Sequence, residues 1–86
     1  MNRTLLIVLV NKRKESAPTV QKILTEWGCV IKTRVGIHDG ILDDCSNTGL
    51  IILELAGEKE KQQELSRKIE LLDGVKTELI NISLEK

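Results

Sequence analysis

Two stretches of the chain are apolar almost without interruption, Thr4–Val10 (TLLIVLV) and Leu50–Leu55 (LIILEL), and both are too short for a helix of ordinary length. They are rich in Leu, Ile and Val, which suits strands. A strand with apolar residues at both odd and even positions is covered on both faces, so these two are predicted to be central in a sheet. Glu54 is the one polar interruption in the second of them.

Between these runs the pattern changes period. Asn11–Glu15 is polar, Ser16 is placed to cap a helix, and Pro18 fits a first turn whose N–H has no intrahelical partner. Val20, Ile23, Leu24 and Trp27 then recur at helical spacing, with Gly28 as the C-terminal stop. From Cys29 to His38 the period becomes two, with Cys29, Ile31, Thr33, Val35 and Ile37 on a core face and Val30, Lys32, Arg34, Gly36 and His38 on a mixed one. Charges on one face suit an edge strand. Past Leu55, Gly57 and a charged run open a second helix with Leu65, Ile69 and Leu72 as its buried stripe, closed by Asp73-Gly74. Val75–Leu84 alternates again as a last strand.

The order βαββαβ predicts an α+β fold of ferredoxin-like (ACT-like) type, a four-stranded antiparallel sheet with two helices on one face, spanning residues 1–86 as a single domain. Strands one and three are expected at its centre. With both helices on one face, the opposite face keeps an apolar set that includes Leu50 and Ile52, and such patches are rarely left to solvent. A homo-oligomer formed through the sheet face or edge is therefore expected. Two finer expectations follow. Arg34 is expected to lie beside Glu54 and to pair with it. The connection from His38 to Asn47 is expected to leave from the sheet end opposite the first loop, so that only a neighbouring subunit brings the two together.

Thirteen basic residues balance thirteen acidic ones, and Trp27 is the single aromatic residue. Neither a basic field nor a stacking platform is available, which argues against direct nucleic-acid binding. No segment has the length of a membrane span or the form of a signal peptide. Two cysteines sixteen positions apart make neither a disulfide framework nor a CxxC pair. A cytoplasmic protein with reduced thiols and no cofactor is expected.

Candidate chemistry is sparse. His38, Asp39, Asp43, Asp44 and Cys45 cluster metal-ligand residue types in one connection, but a transition-metal site wants about four ligands and one imidazole and one thiolate are on offer. No strong metal site is expected; His38 and Cys45 are the candidates for one, against a solvated acidic hairpin. Lys12, Arg13 and Lys14 precede a predicted helix start, whose free N–H groups favour anions. A small anionic metabolite held by Asn11, Arg13 and Ser16 at a subunit boundary is the expected ligand. No serine has a nucleophile-elbow context, and Arg13 without neighbouring glycines is a poor phosphate loop, so the chain is not expected to be an enzyme.

The segment Ile31-Lys-Thr-Arg-Val-Gly-Ile-His38, the continuation Cys45-Ser-x-x-Gly-Leu-Ile-Ile-Leu53 and the late Leu72-Asp-Gly-Val75 together resemble the iron-only hydrogenase system regulators. The resemblance covers the whole chain and implies a small stand-alone protein of ACT-like fold, related in fold to the sensing domain of nickel-responsive repressors. It implies regulation and names no ligand. The ligand loop of ACT domains has an Asp and a following Gly after the first strand; here Asn11 is followed by Lys12, Arg13 and Lys14. The expected function is thus a non-enzymatic, small-ligand-responsive regulatory module acting as a homo-oligomer. The alternatives are a metal- or thiol-sensing module using His38 and Cys45, or a catalytic domain of acylphosphatase type.

Overall fold

The computed structural model describes residues 2–11, 13–38 and 48–84. Strand β1 (Asn2–Val10) leads into helix α1 (Arg13–Glu26), a 3-10 turn at Gly28–Val30 and strand β2 (Ile31–His38). Strand β3 (Gly49–Leu55), helix α2 (Lys59–Glu70) and strand β4 (Val75–Ser83) complete the chain. The sheet order is β2-β3-β1-β4 and every pairing is antiparallel. The two runs of continuous hydrophobicity are indeed the central strands.

One face of the sheet carries the core. Leu6, Val8 and Val10 of β1 and Leu53 and Leu55 of β3 meet Val20 and Leu24 of α1, Leu65 and Ile69 of α2, and Val75. Ile23, Trp27 and Leu72 pack around this cluster, so both helical stripes face the sheet as their spacing required. Leu6, Val8, Val20, Leu53, Leu65 and Ile69 are completely buried.

The local corrections have physical causes. Helix α1 begins at Arg13, so Ser16 is its fourth residue and not its cap, and Pro18 lies inside the helix. The Asn11 N–H donates to the Gly74 carbonyl (2.7 Å), and the Ser16 hydroxyl donates to the Asp73 carbonyl (2.9 Å). These bonds fasten the end of β1 and the first turn of α1 to the α2–β4 turn, and the helix begins earlier than Ser16. Gly28 does not end the helix in the left-handed region: among the described residues the positive-φ glycines are Gly57 (84°) and Gly74 (74°). Cys29 lies in the 3-10 turn, exposed, and the strand starts two residues later.

A β-bulge matters most. Ile31 pairs with Leu55 but Thr33 pairs with Glu54, so Lys32 is an extra residue that reverses the facing of everything after it. Thr33, Val35 and Ile37 consequently lie on the face away from the helices, with Val35 and Ile37 about half exposed. Arg34 lies opposite Leu53 on the helix side and hydrogen-bonds Gln21 of α1. Arg34 and Glu54 are therefore on opposite faces, and the expected pair between them does not form.

The expectation about the sheet ends is also overturned. Strands β1 and β2 are both antiparallel to β3, hence parallel to each other. Val10 and His38 each pair with Gly49, which puts the ends of β1 and β2 on one rung. The first loop therefore leaves from the same end of the sheet as the last residue of β2, His38, and not from the opposite end as expected.

Candidate functional site

At the other end of the sheet, where β1 starts and β3 stops, a groove of about 520 Å³ runs between the strands and the start of α2. Its walls include Asn2, Arg3 and Thr4 of β1, the bulged Lys32, Glu54–Gly57, Lys59 and Gln62 of α2, and Asn81 of β4. The bulge gives Lys32 its place there. At Gly57 the backbone turns through φ +84° to leave β3 and enter α2, a conformation that L side chains adopt rarely. Glu58 caps α2 through its backbone and makes no side-chain cap bond, so the first-turn N–H groups of the helix lack that partner.

The polar groups of the groove are organised. The Arg3 guanidinium grips the Glu54 carboxylate through both Nε and Nη2, the latter at 2.7 Å. The Thr4 hydroxyl donates to Asn81 Oδ1 (2.6 Å), and Gln62 Nε2 donates to the Gly57 carbonyl (3.3 Å). Thr4 and Gln62, at 7% and 8% exposure, are the buried polar residues among those described, and both belong to this wall. The hydrogen bonds from Arg3 hold the Glu54 carboxyl below the ordinary carboxylate value; the charges of Arg3 and Lys32 act in the same direction and partial burial opposes them. The same hydrogen bonds raise Arg3.

Arg3 and Glu54 also border the second notable feature, the sheet face without helices. Leu5, Ile7 and Leu9 of β1 lie on it with Leu50 and Ile52 of β3, Ile80 and Ile82 of β4, and the displaced Val35 and Ile37. Leu9, Val35, Ile37 and Ile82 are exposed by 46–51%. No element of the described chain covers this face.

The residues singled out from sequence fare differently. Asn11 and Ser16 are at the first-loop end, where the bonds described above already engage the Asn11 N–H and the Ser16 hydroxyl. Arg13 opens α1, but its side chain lies outside the described residues, as do Lys12 and the side chains of Lys14 and His38. Asp39, Asp43, Asp44 and Cys45 lie outside them altogether. Among the described residues no group of three or more His, Cys, Asp or Glu is arranged to hold a metal. Sequence reasoning missed the groove. Its available signal was Glu54, the one charge in a buried run, which needed a cation and found Arg3, at the start of the other central strand.

No protein-family model matches the chain, and no curated protein matches it. Solved structures do. An uncharacterized protein, TM1266, from Thermotoga maritima superimposes with a TM-score of 0.79 at 21% identity, covering 96% of this chain and all of that one. The fold is ferredoxin-like. CPII from Thiomonas intermedia K12, a nitrogen regulatory PII-like protein bound to ADP, AMP and bicarbonate, follows with a TM-score of 0.59 and 13% identity over 100% of this chain and 98% of that one. A dimeric ferredoxin-like protein from an uncultured marine organism gives 0.52 at 8% identity, covering 99% of this chain and 97% of its own. At these identities the likeness is one of fold. No helix among the described residues is long and apolar enough to cross a membrane.

Proposed function

We propose that this chain is a non-enzymatic, cytoplasmic regulatory module that responds to a small ligand and works as a homo-oligomer. The observation that carries the reading is the uncovered sheet face. Four strands and a seven-residue register give a planar footprint of about 450 Å², at ~4.8 Å between strands and ~3.4 Å per residue. Two such faces in contact cover about 900 Å² before side-chain relief is counted, close to the ~1,000 Å² at which specific interfaces begin. A second copy suits this face because the chain has no net charge to oppose self-association.

The regulatory part draws on other support. CPII is described as a nitrogen regulatory PII-like protein and carries nucleotides, and the marine ferredoxin-like protein is described as dimeric. The sequence resemblance to iron-only hydrogenase system regulators points the same way. The first-loop end, with Asn11, Arg13 and Ser16, is one place for an effector, but its Asn11 N–H and Ser16 hydroxyl are already bonded within the chain. The groove at the opposite end has more to offer. Sedimentation equilibrium at micromolar concentration is the test of the oligomer: a mass of two or more chains is expected, and a monomer at every concentration overturns the reading.

A further inference from the structure

We propose that the groove at the β1–α2 end is an effector site for a compact metabolite bearing two or more oxyanion charges, phosphoryl or carboxyl. This names the ligand class of the regulatory reading and rests on it only for the word effector. The cavity, at about 520 Å³, is within the ~300–1,000 Å³ of small-molecule sites. Arg3, Lys32 and Lys59 line it against one carboxylate, Glu54, which Arg3 already neutralises. Lys32 and Lys59 arrive from separate devices, a strand bulge and a helix start, and neither forms an ion pair among the described residues. Both lysines line the one cavity, so a ligand with two anionic groups meets a cation for each.

The walls support a bound ligand as well as an attracted one. Thr4 and Gln62, the buried polar residues of the wall, are bonded within the chain to Asn81 and the Gly57 carbonyl and fix the shape of the groove. Asn2 and Asn81 add amides for the uncharged part of a ligand. The first-turn N–H groups of α2 contribute in the same direction as the lysines, against the carboxylates of Glu58 and Glu60 at the same helix end. The ligand class is bounded by what the groove lacks: Trp27, the only aromatic residue of the chain, packs against the core and is not in its lining. A nucleobase would find no aromatic ring to stack on, and the Arg3 guanidinium is already held by Glu54, so a compact anion is favoured over a nucleotide. Arg3 connects the groove to the uncovered face, which gives occupancy a route to assembly.

The test is titration of the ¹⁵N-labelled protein with inorganic pyrophosphate and, separately, citrate, at constant ionic strength. Expected are saturable amide shifts confined to residues 56–62, Lys32 and Asn81. The Lys32→Gln, Lys59→Gln double variant should weaken the affinity by about tenfold or more. The Lys22→Gln, Lys68→Gln variant, which removes the same charge from exposed helix positions, should bind as the parent does. Tighter pyrophosphate binding assigns a phosphoryl ligand and tighter citrate binding a carboxylate one. Equal losses in both double variants, or shifts centred on Asn11, overturn the site. Binding in the groove without any change in sedimentation leaves the site standing and counts against the regulatory reading.

Discussion

Leu9→Glu separates the fold from the assembly because the two make opposite demands on that position. Leu9 is in a central strand yet 46% exposed, since its side chain is on the uncovered face. Its cross-strand neighbour on β4 is Lys76. In an isolated chain the new carboxylate gains that partner, and opposite charges across a strand pair contribute about 0.2–1 kcal/mol, which offsets part of the lost leucine packing. In a face-to-face dimer the balance reverses. Full burial of a leucine is worth about 1.5–3 kcal/mol, so covering the exposed part of Leu9 contributes about 0.7–1.4 kcal/mol in each copy. A twofold axis doubles that to about 1.5–3 kcal/mol, a roughly 10- to 100-fold weaker dimer before the cost of burying the carboxylates is added. Sedimentation across a dilution series reads the dissociation constant, and thermal unfolding of the dilute monomer reads the fold. The control is Leu71→Glu, at a residue 79% exposed just beyond α2 and off the sheet face, which should leave assembly unchanged. An unchanged dissociation constant for Leu9→Glu, or equal weakening by both variants, refutes the argument.

Three further outcomes are expected. Glu54 is held below its ordinary value, so its contribution to stability is present above the unfolded carboxylate range and lost as pH falls through the folded value. The melting-temperature difference between parent and Glu54→Gln should therefore be constant near neutrality and shrink on acidification; a difference that grows in acid would contradict the Arg3–Glu54 bond. Leu53→Ala, at a completely buried residue of a central strand, should lower the unfolding free energy by about 2–5 kcal/mol in urea titrations. Gly57→Ala should cost about 1–2 kcal/mol from its φ of +84°. The new Cβ meets Val30 only at an ordinary 3.5 Å, so an equally destabilised Gly28→Ala would disprove the conformational cause.

Much of the architecture is written in periodicity. Continuous apolar runs at 4–10 and 50–55 placed β1 and β3 at the centre of the sheet, and the stripes of Val20, Leu24, Leu65 and Ile69 fixed which side of each helix is buried. These are local signals, because strand and helix spacing are properties of the chain alone. The uncovered face was legible for the same reason: two helices cover one side of four strands. What the sequence could not announce was the bulge at Lys32. One unpaired residue turned Val35 and Ile37 outward, sent Arg34 to Gln21 and left Glu54 to Arg3. A period of two carries no memory of an inserted residue, so facing is decided only when β2 pairs with β3. The groove belongs to tertiary structure too. Arg3, Lys32, Lys59 and Asn81 come from four different elements, and only the sheet order β2-β3-β1-β4 with α2 packed across it brings their side chains around one cavity.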